Sequence, residues 1–146
     1  MNRDFADMLS ALSDAGADYL VVGAYALAAH GRPRATGDLD IWVRPTAANA
    51  EKVWAALARF GAPLFALRKE DLETPGMVFQ IGVEPLRIDI LTAIDGVEFE
   101  GAWERRLILE IDGQTVPLLG KEDLIRNKLA AGRPQDLADV AALEQK

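Results

Sequence analysis

The sequence predicts an α+β fold: a mixed β-sheet flanked by helices. Helical and strand-like segments interleave without regular alternation. Two strand-like segments set acidic residues opposite an apolar stripe, and the chain closes on two helices divided by Ala131-Gly132-Arg133-Pro134. At 146 residues this is material for one domain over 1–146 with one core.

Taken in order, Phe5, Met8, Leu9 and Leu12 recur at helical spacing and Gly16 follows as a stop, predicting an amphipathic helix over 3–15. Residues 19–22 are a short β-branched and aromatic run, read as a strand ending at Gly23. The alanine-rich stretch 24–30 is helix-prone and is ended by Gly31 and Pro33. A strand over 38–43 is closed by Arg44-Pro45, and Thr46 is a natural N-cap for a helix that runs to Gly61. The prolines and glycine in 62–76 predict a loop with one helical turn. Strands are expected at 77–82, 86–92, 105–111 and 115–119, with Asp112-Gly113 as a hairpin signal between the last two. Helices follow at about 121–131 and 135–144, the first stopped by Gly132 and the second opened by Pro134.

Composition narrows the chemistry. Half the residues are hydrophobic and 27% are charged, so the chain can pay for a packed core. Cysteine is absent and His30 is the single histidine, which excludes thiolate catalysis, disulfides, and sulfur- or histidine-rich metal sites. Any metal must sit on carboxylates. A net charge of −7 argues against extended nucleic-acid binding. The polar, acidic start and the shortness of the longest apolar run, 19–29, predict a cytoplasmic protein with no membrane contact.

In Asp38-Leu39-Asp40 the two carboxylates share one strand face about 7 Å apart, with Leu39, Ile41 and Val43 on the other. The segment Arg87-Ile88-Asp89-Ile90-Leu91 repeats that pattern, so three carboxylates converge if the strands are neighbours. Such like charges are tolerated where a hard cation lies between them, and magnesium, with oxygen ligands and substrate phosphates completing its shell, suits the cluster. Two such ions can activate an attacking oxygen and stabilise a leaving one. Chance Asp-x-Asp pairs and helix caps are the bland alternative.

The turn Val22-Gly23-Ala24 offers backbone N–H groups and a helix start to a phosphate, or is simply a tight strand-to-helix turn. Arg32 and Arg34 could steer a triphosphate or be solvated loop residues. His30 reads as a helix end rather than a base, Trp42 as cleft wall or core rather than a base-stacking residue, and Trp54 and Trp103 as core. Lys128 is either a surface lysine or a phosphate contact, with Arg126 and Arg133 adding local positive charge. Asp136 and Asp139 share a helix face, where Asp136 either favours the helix start or has a functional part.

The runs Leu20-Val21-Val22-Gly23-Ala24-Tyr25 through Gly31, and Arg32-Pro33-Arg34-Ala35-Thr36-Gly37-Asp38-Leu39-Asp40-Ile41, resemble the nucleotidyltransferase signature of the DNA polymerase β superfamily. The tail from Lys128 to Val140 is similar to the Lys...Arg-x-x-Asp-x-x-Asp ending of the AbiEii-like branch of minimal nucleotidyltransferases, often found in toxin-antitoxin or abortive-infection pairs. The resemblance implies a polymerase β palm-like fold with C-terminal helices. It makes Asp38, Asp40 and Asp89 catalytic ligands of Mg2+ or Mn2+, with Asp89 also drawing the proton from the attacking hydroxyl. It makes Gly23, Ala24, Arg34, Thr36, Lys128 and Asp136 nucleotide-binding residues. The family usually has glycine or serine where Ala24 stands, so a hydroxyl contact is missing here and only a backbone N–H remains.

The function implied is transfer of NMP from an NTP, with ATP favoured, to an acceptor hydroxyl with release of pyrophosphate. The acceptor is a protein side chain, a tRNA end or a small molecule, and a partner protein is allowed for. The alternative is a catalytically weak nucleotidyltransferase-like binding protein acting as a toxin-antitoxin partner.

Overall fold

The computed structural model describes residues 1–32, 37–82 and 86–145. Its elements are α1 (Arg3–Asp14), β1 (Tyr19–Val22), α2 (Gly23–Ala29), β2 (Leu39–Val43), α3 (Ala47–Phe60), β3 (Val78–Ile81), β4 (Ile88–Leu91), α4 (Phe99–Glu104), β5 (Leu107–Ile111), β6 (Gln114–Leu118), α5 (Lys121–Ala131) and α6 (Pro134–Glu144). The strands form one mixed sheet in the order β3-β4-β2-β1-β6-β5. Its centre alternates: β1 is antiparallel to β2 and parallel to β6, and β2 is parallel to β4. This is the expected α+β fold.

Local chemistry explains most boundaries. The Asn2 side chain accepts from the N–H groups of Asp4 (2.8 Å) and Phe5 (3.3 Å), and α1 then buries Phe5, Met8, Leu9 and Leu12. Thr46 caps α3, and Gly61 ends it at a φ of 90°. Asp112 and Gly113 both have positive φ (51° and 80°), as a two-residue type I′ hairpin needs, and join β5 to β6. Buried Asn49 accepts from the Asp18 N–H (2.7 Å) and donates to the carbonyls of Asp18 and Arg44 (both 3.0 Å), tying the helix to the ends of β1 and β2 remote from Asp40.

Four expectations are corrected. The 62–76 loop holds two 3-10 turns, Leu64–Ala66 and Lys69–Glu73, the second burying Leu72. Helix α4 was not expected: its glycine and lack of a side-chain cap weaken the local signal, and it is held by tertiary packing, with Phe99 edge-on to Trp42 at 5.0 Å and Ala102 fully buried. The strand expected from 105 starts at Leu107 because Arg105 caps that helix. Trp54 and Trp103 are half-buried at the core's edge; Trp103 stacks on Phe99 at 5.7 Å and carries the Arg106 guanidinium 4.0 Å from its ring centre.

The core covers both sheet faces. All four residues of β1 are buried, and so is Trp42, which shares the acids' face and is closed off by Phe99 from any role in base stacking. Among the described residues no helix is long and apolar enough to cross a membrane.

Candidate active site

Three adjacent strands end at one place. In the register of β2 and β4, Asp40 lies directly beside Asp89, and across β1 the partner of Asp40 is Val22, the residue before Gly23. Neighbouring strands stand about 4.8 Å apart, so the parallel pairing alone sets the two carboxyl groups side by side on one face. Gly23 opens α2 at a φ of 66°, and its missing side chain is what admits the Asp40 carboxylate, whose Cγ would lie 3.1 Å from a Cβ there.

Crowding acts on Asp40. Burial comes first, then the charges of Asp89 and Asp38 and a hydrogen bond with Asp89, and together they push its carboxyl up to about 6 against a partial offset from Arg87. Asp89 is buried. Arg87, two residues earlier and so on the same face, donates from Nε to Asp89 Oδ1 (2.9 Å) and from Nη2 to Asp89 Oδ2 (3.2 Å). The same Nη2 reaches Asp38 Oδ2 at 3.3 Å. The three expected acids thus gather as an Asp40–Asp89 pair, with Asp38 joined to it through Arg87.

Their fit to a metal follows from this geometry. Among the described residues no three acidic or imidazole groups stand ready as a cation cage, and Asp38 faces Arg87. Asp40 and Asp89 themselves fit a hard divalent ion: adjacent all-oxygen donors whose mutual repulsion a cation relieves.

A cleft of about 270 Å³ opens beside Asp40, lined among others by Gly23, Asp40, Asn127, Lys128, Arg133 and Asp136; Asp89 does not line it. Four expected residues therefore meet there: Gly23, Asp40, Lys128 and Asp136. Ala24 is half-buried and does not line it, and Arg34 and Thr36 lie outside the described residues. A second cleft of about 310 Å³, between α1 and α3 at Asp7, Asp14 and Arg59, contains none of the site residues.

The C-terminal motif is an ion-pair network at the wall of the first cleft. Lys128, expected either on the surface or on phosphate, is buried, with Nζ 2.9 Å from Asp139 and 3.5 Å from Asp136. Asp136 closes a capping box at the start of α6: it accepts from the Arg133 backbone N–H (3.2 Å) and from Arg133 Nε (2.6 Å), and these bonds hold its carboxyl below the usual range. His30 caps α2, as expected of a helix end, and donates from Nε2 to the Leu119 carbonyl at 2.9 Å.

A family model described as "Nucleotidyl transferase of unknown function (DUF2204)" matches residues 1–146. The chain belongs to that family. This nucleotidyltransferase shares its fold with solved structures of low sequence identity. One is a Thermotoga maritima protein provisionally described as a nucleotidyltransferase (16% identity, TM-score 0.65, 96% of this chain and 89% of that one). Another is the lincosamide antibiotic adenylyltransferase LnuA with lincomycin bound (14%, 0.61, 99% and 97%), and a third is an antigenic nucleotidyltransferase-like protein from Paracoccidioides brasiliensis (16%, 0.55, 96% and 74%). Among curated proteins none matches the nucleotidyltransferase chain.

Two members of the site were missed in the sequence. Arg87 carries a signal in its place two residues before Asp89, just ahead of β4; Arg133 reads in the sequence only as local charge, and its capping of Asp136 depends on the turn between α5 and α6.

Proposed function

We propose that the protein transfers a nucleoside monophosphate from an NTP, with ATP favoured, to an acceptor hydroxyl and releases pyrophosphate. The observation that carries this reading is the in-register pair Asp40–Asp89 beside Gly23. Asp38, Asp40 and Asp89 would hold Mg2+ or Mn2+. When bound, the ion supplies charge neutralisation for the phosphates and acidifies the attacking hydroxyl. Asp89 accepts the proton from that hydroxyl, and its tie to Arg87 fixes the direction of its oxygens. Gly23 leaves the backbone bare where the triphosphate approaches, and Arg34 and Thr36 are carried as nucleotide contacts on the sequence resemblance. Arg133 and Lys128 place basic groups on the cleft wall, both paired with Asp136, which holds Arg133 in place.

Of the three acceptor classes, a small molecule is favoured. LnuA, a lincosamide antibiotic adenylyltransferase, has nearly the same extent as this chain, which supports both AMP as the transferred group and a small acceptor. The net charge of −7 disfavours long nucleic acid.

A second reading rests on Lys128. Its charge is taken up by Asp136 and Asp139, and together with Ala24 this favours weak triphosphate binding, as in a nucleotidyltransferase-like partner of an AbiEii-type toxin-antitoxin pair. Calorimetry with Mg-ATP beside a pyrophosphate-release assay separates the two. Binding with release on addition of acceptor supports the enzyme; binding without release on any acceptor supports the partner protein.

A further inference from the structure

Arg87 touches two of the three acids, Asp89 and Asp38. Its fork makes two N–H···O contacts to Asp89, at 2.9 and 3.2 Å, the bidentate geometry in which an arginine is hard to displace. Asp38 has a weaker hold on it: one contact of 3.3 Å, from an Nη2 already shared with Asp89. Asp38 also precedes β2, whereas Asp89 lies inside β4, so the longer bond goes to the acid outside its strand. A guanidinium and a divalent ion cannot occupy the same side of the same oxygens, and two cations so close repel.

We propose that Arg87 is a positioning residue that joins Asp38 to Asp89 in the metal-free protein and gives up Asp38 when a divalent cation binds, so that it sets how tightly the carboxylates take the ion. This rests on the reading of the three acids as metal ligands. Arg87 thereby lowers the cost of holding the carboxylates together without metal, and its charge opposes the cation that replaces it.

The test is Mn2+ titration of the wild type, Arg87→Met, Arg87→Gln, Arg87→Lys and Asp40→Asn, following free Mn2+ by electron paramagnetic resonance, with thermal midpoints in EDTA and in saturating Mn2+. Arg87→Met is expected to bind Mn2+ roughly fivefold tighter, the effect of removing one nearby charge, while its midpoint in EDTA falls by several degrees and recovers more than the wild type's on adding Mn2+. Arg87→Gln, which keeps a hydrogen bond but not the charge, gives the same tightening by an independent route. Arg87→Lys keeps the charge without the fork, so its Mn2+ affinity stays within about twofold of wild type while its EDTA midpoint drops. An arginine that is only structural would lower the midpoint without tightening Mn2+ binding. Unchanged or weaker binding in both Arg87→Met and Arg87→Gln overturns the proposal. Absence of Mn2+ binding by the wild type, or equal binding by Asp40→Asn, overturns instead the metal reading on which it rests.

Discussion

Gly23 and Asp40 are fitted to each other: the turn between β1 and α2 leaves no room for a Cβ because the Asp40 carboxylate occupies that space. Gly23→Ala therefore combines a positive-φ strain of about 1 kcal/mol with displacement of Asp40. The expected outcome is loss of Mg-nucleotide binding by calorimetry. Gly31→Ala is the control, since Gly31 has a φ of 88° and, among the described residues, no atom within 4 Å of its would-be Cβ. It should cost about the same strain and leave nucleotide binding intact.

Asp40 gives a pH signature in metal-free protein. Its carboxyl is raised from 3.8 to about 6, so the folded state holds the proton more tightly than the unfolded chain does. Its contribution to stability is therefore full below about pH 4 and is lost as pH rises through 6. Asp40→Asn removes that loss, and in EDTA the variant should be more stable than wild type by about 2 kcal/mol at pH 7 and no more stable at pH 3.5. Urea unfolding at the two pH values checks this, and a constant difference between them counts against the assignment of the shift to Asp40.

Asp89→Asn separates binding from chemistry. Nucleotide binding should persist in large part, since Asp40 and the Gly23 turn are untouched, while transfer falls by at least about 100-fold with the proton acceptor gone. Arg87 also loses half of a charge-assisted pair, so a stability cost of about 1–3 kcal/mol is expected in the same sample. Single-turnover kinetics with a denaturation curve reads both effects.

Lys128→Met should be destabilising by about 3 kcal/mol, because it removes the buried ammonium that stands 2.9 Å from buried Asp139 and 3.5 Å from buried Asp136. The double variant Lys128→Met/Asp139→Asn should recover much of the loss. A surface lysine would have changed stability by less than about half a kcal/mol, so thermal midpoints of the two variants distinguish the roles.

Much of this was legible in the sequence because it is local. The alternation in 38–43 and 86–92 fixes which face each acid takes, and the caps at Asn2, Thr46 and Gly61 fix helix ends without reference to the rest of the molecule. Strand neighbourhood is not local. The convergence of Asp40 with Asp89 was conditional on β2 lying beside β4, a matter of topology. The burial of Lys128 was hidden for the same reason: its two partners come from α6, folded back against α5, and a helical lysine carries no mark of that in its own segment. Helix α4 is short and poorly capped, so only its packing on Trp42 declares it.

The most direct test of the central claim, that Asp40 and Asp89 beside Gly23 form the transfer site, is to incubate the protein with α-labelled ATP, Mg2+ and a cell extract and to follow the label and pyrophosphate together. Wild type should move the labelled phosphate onto an acceptor with one pyrophosphate released per label, and folded Asp40→Asn and Asp89→Asn proteins should do neither. Transfer at wild-type rates by either variant would contradict the account.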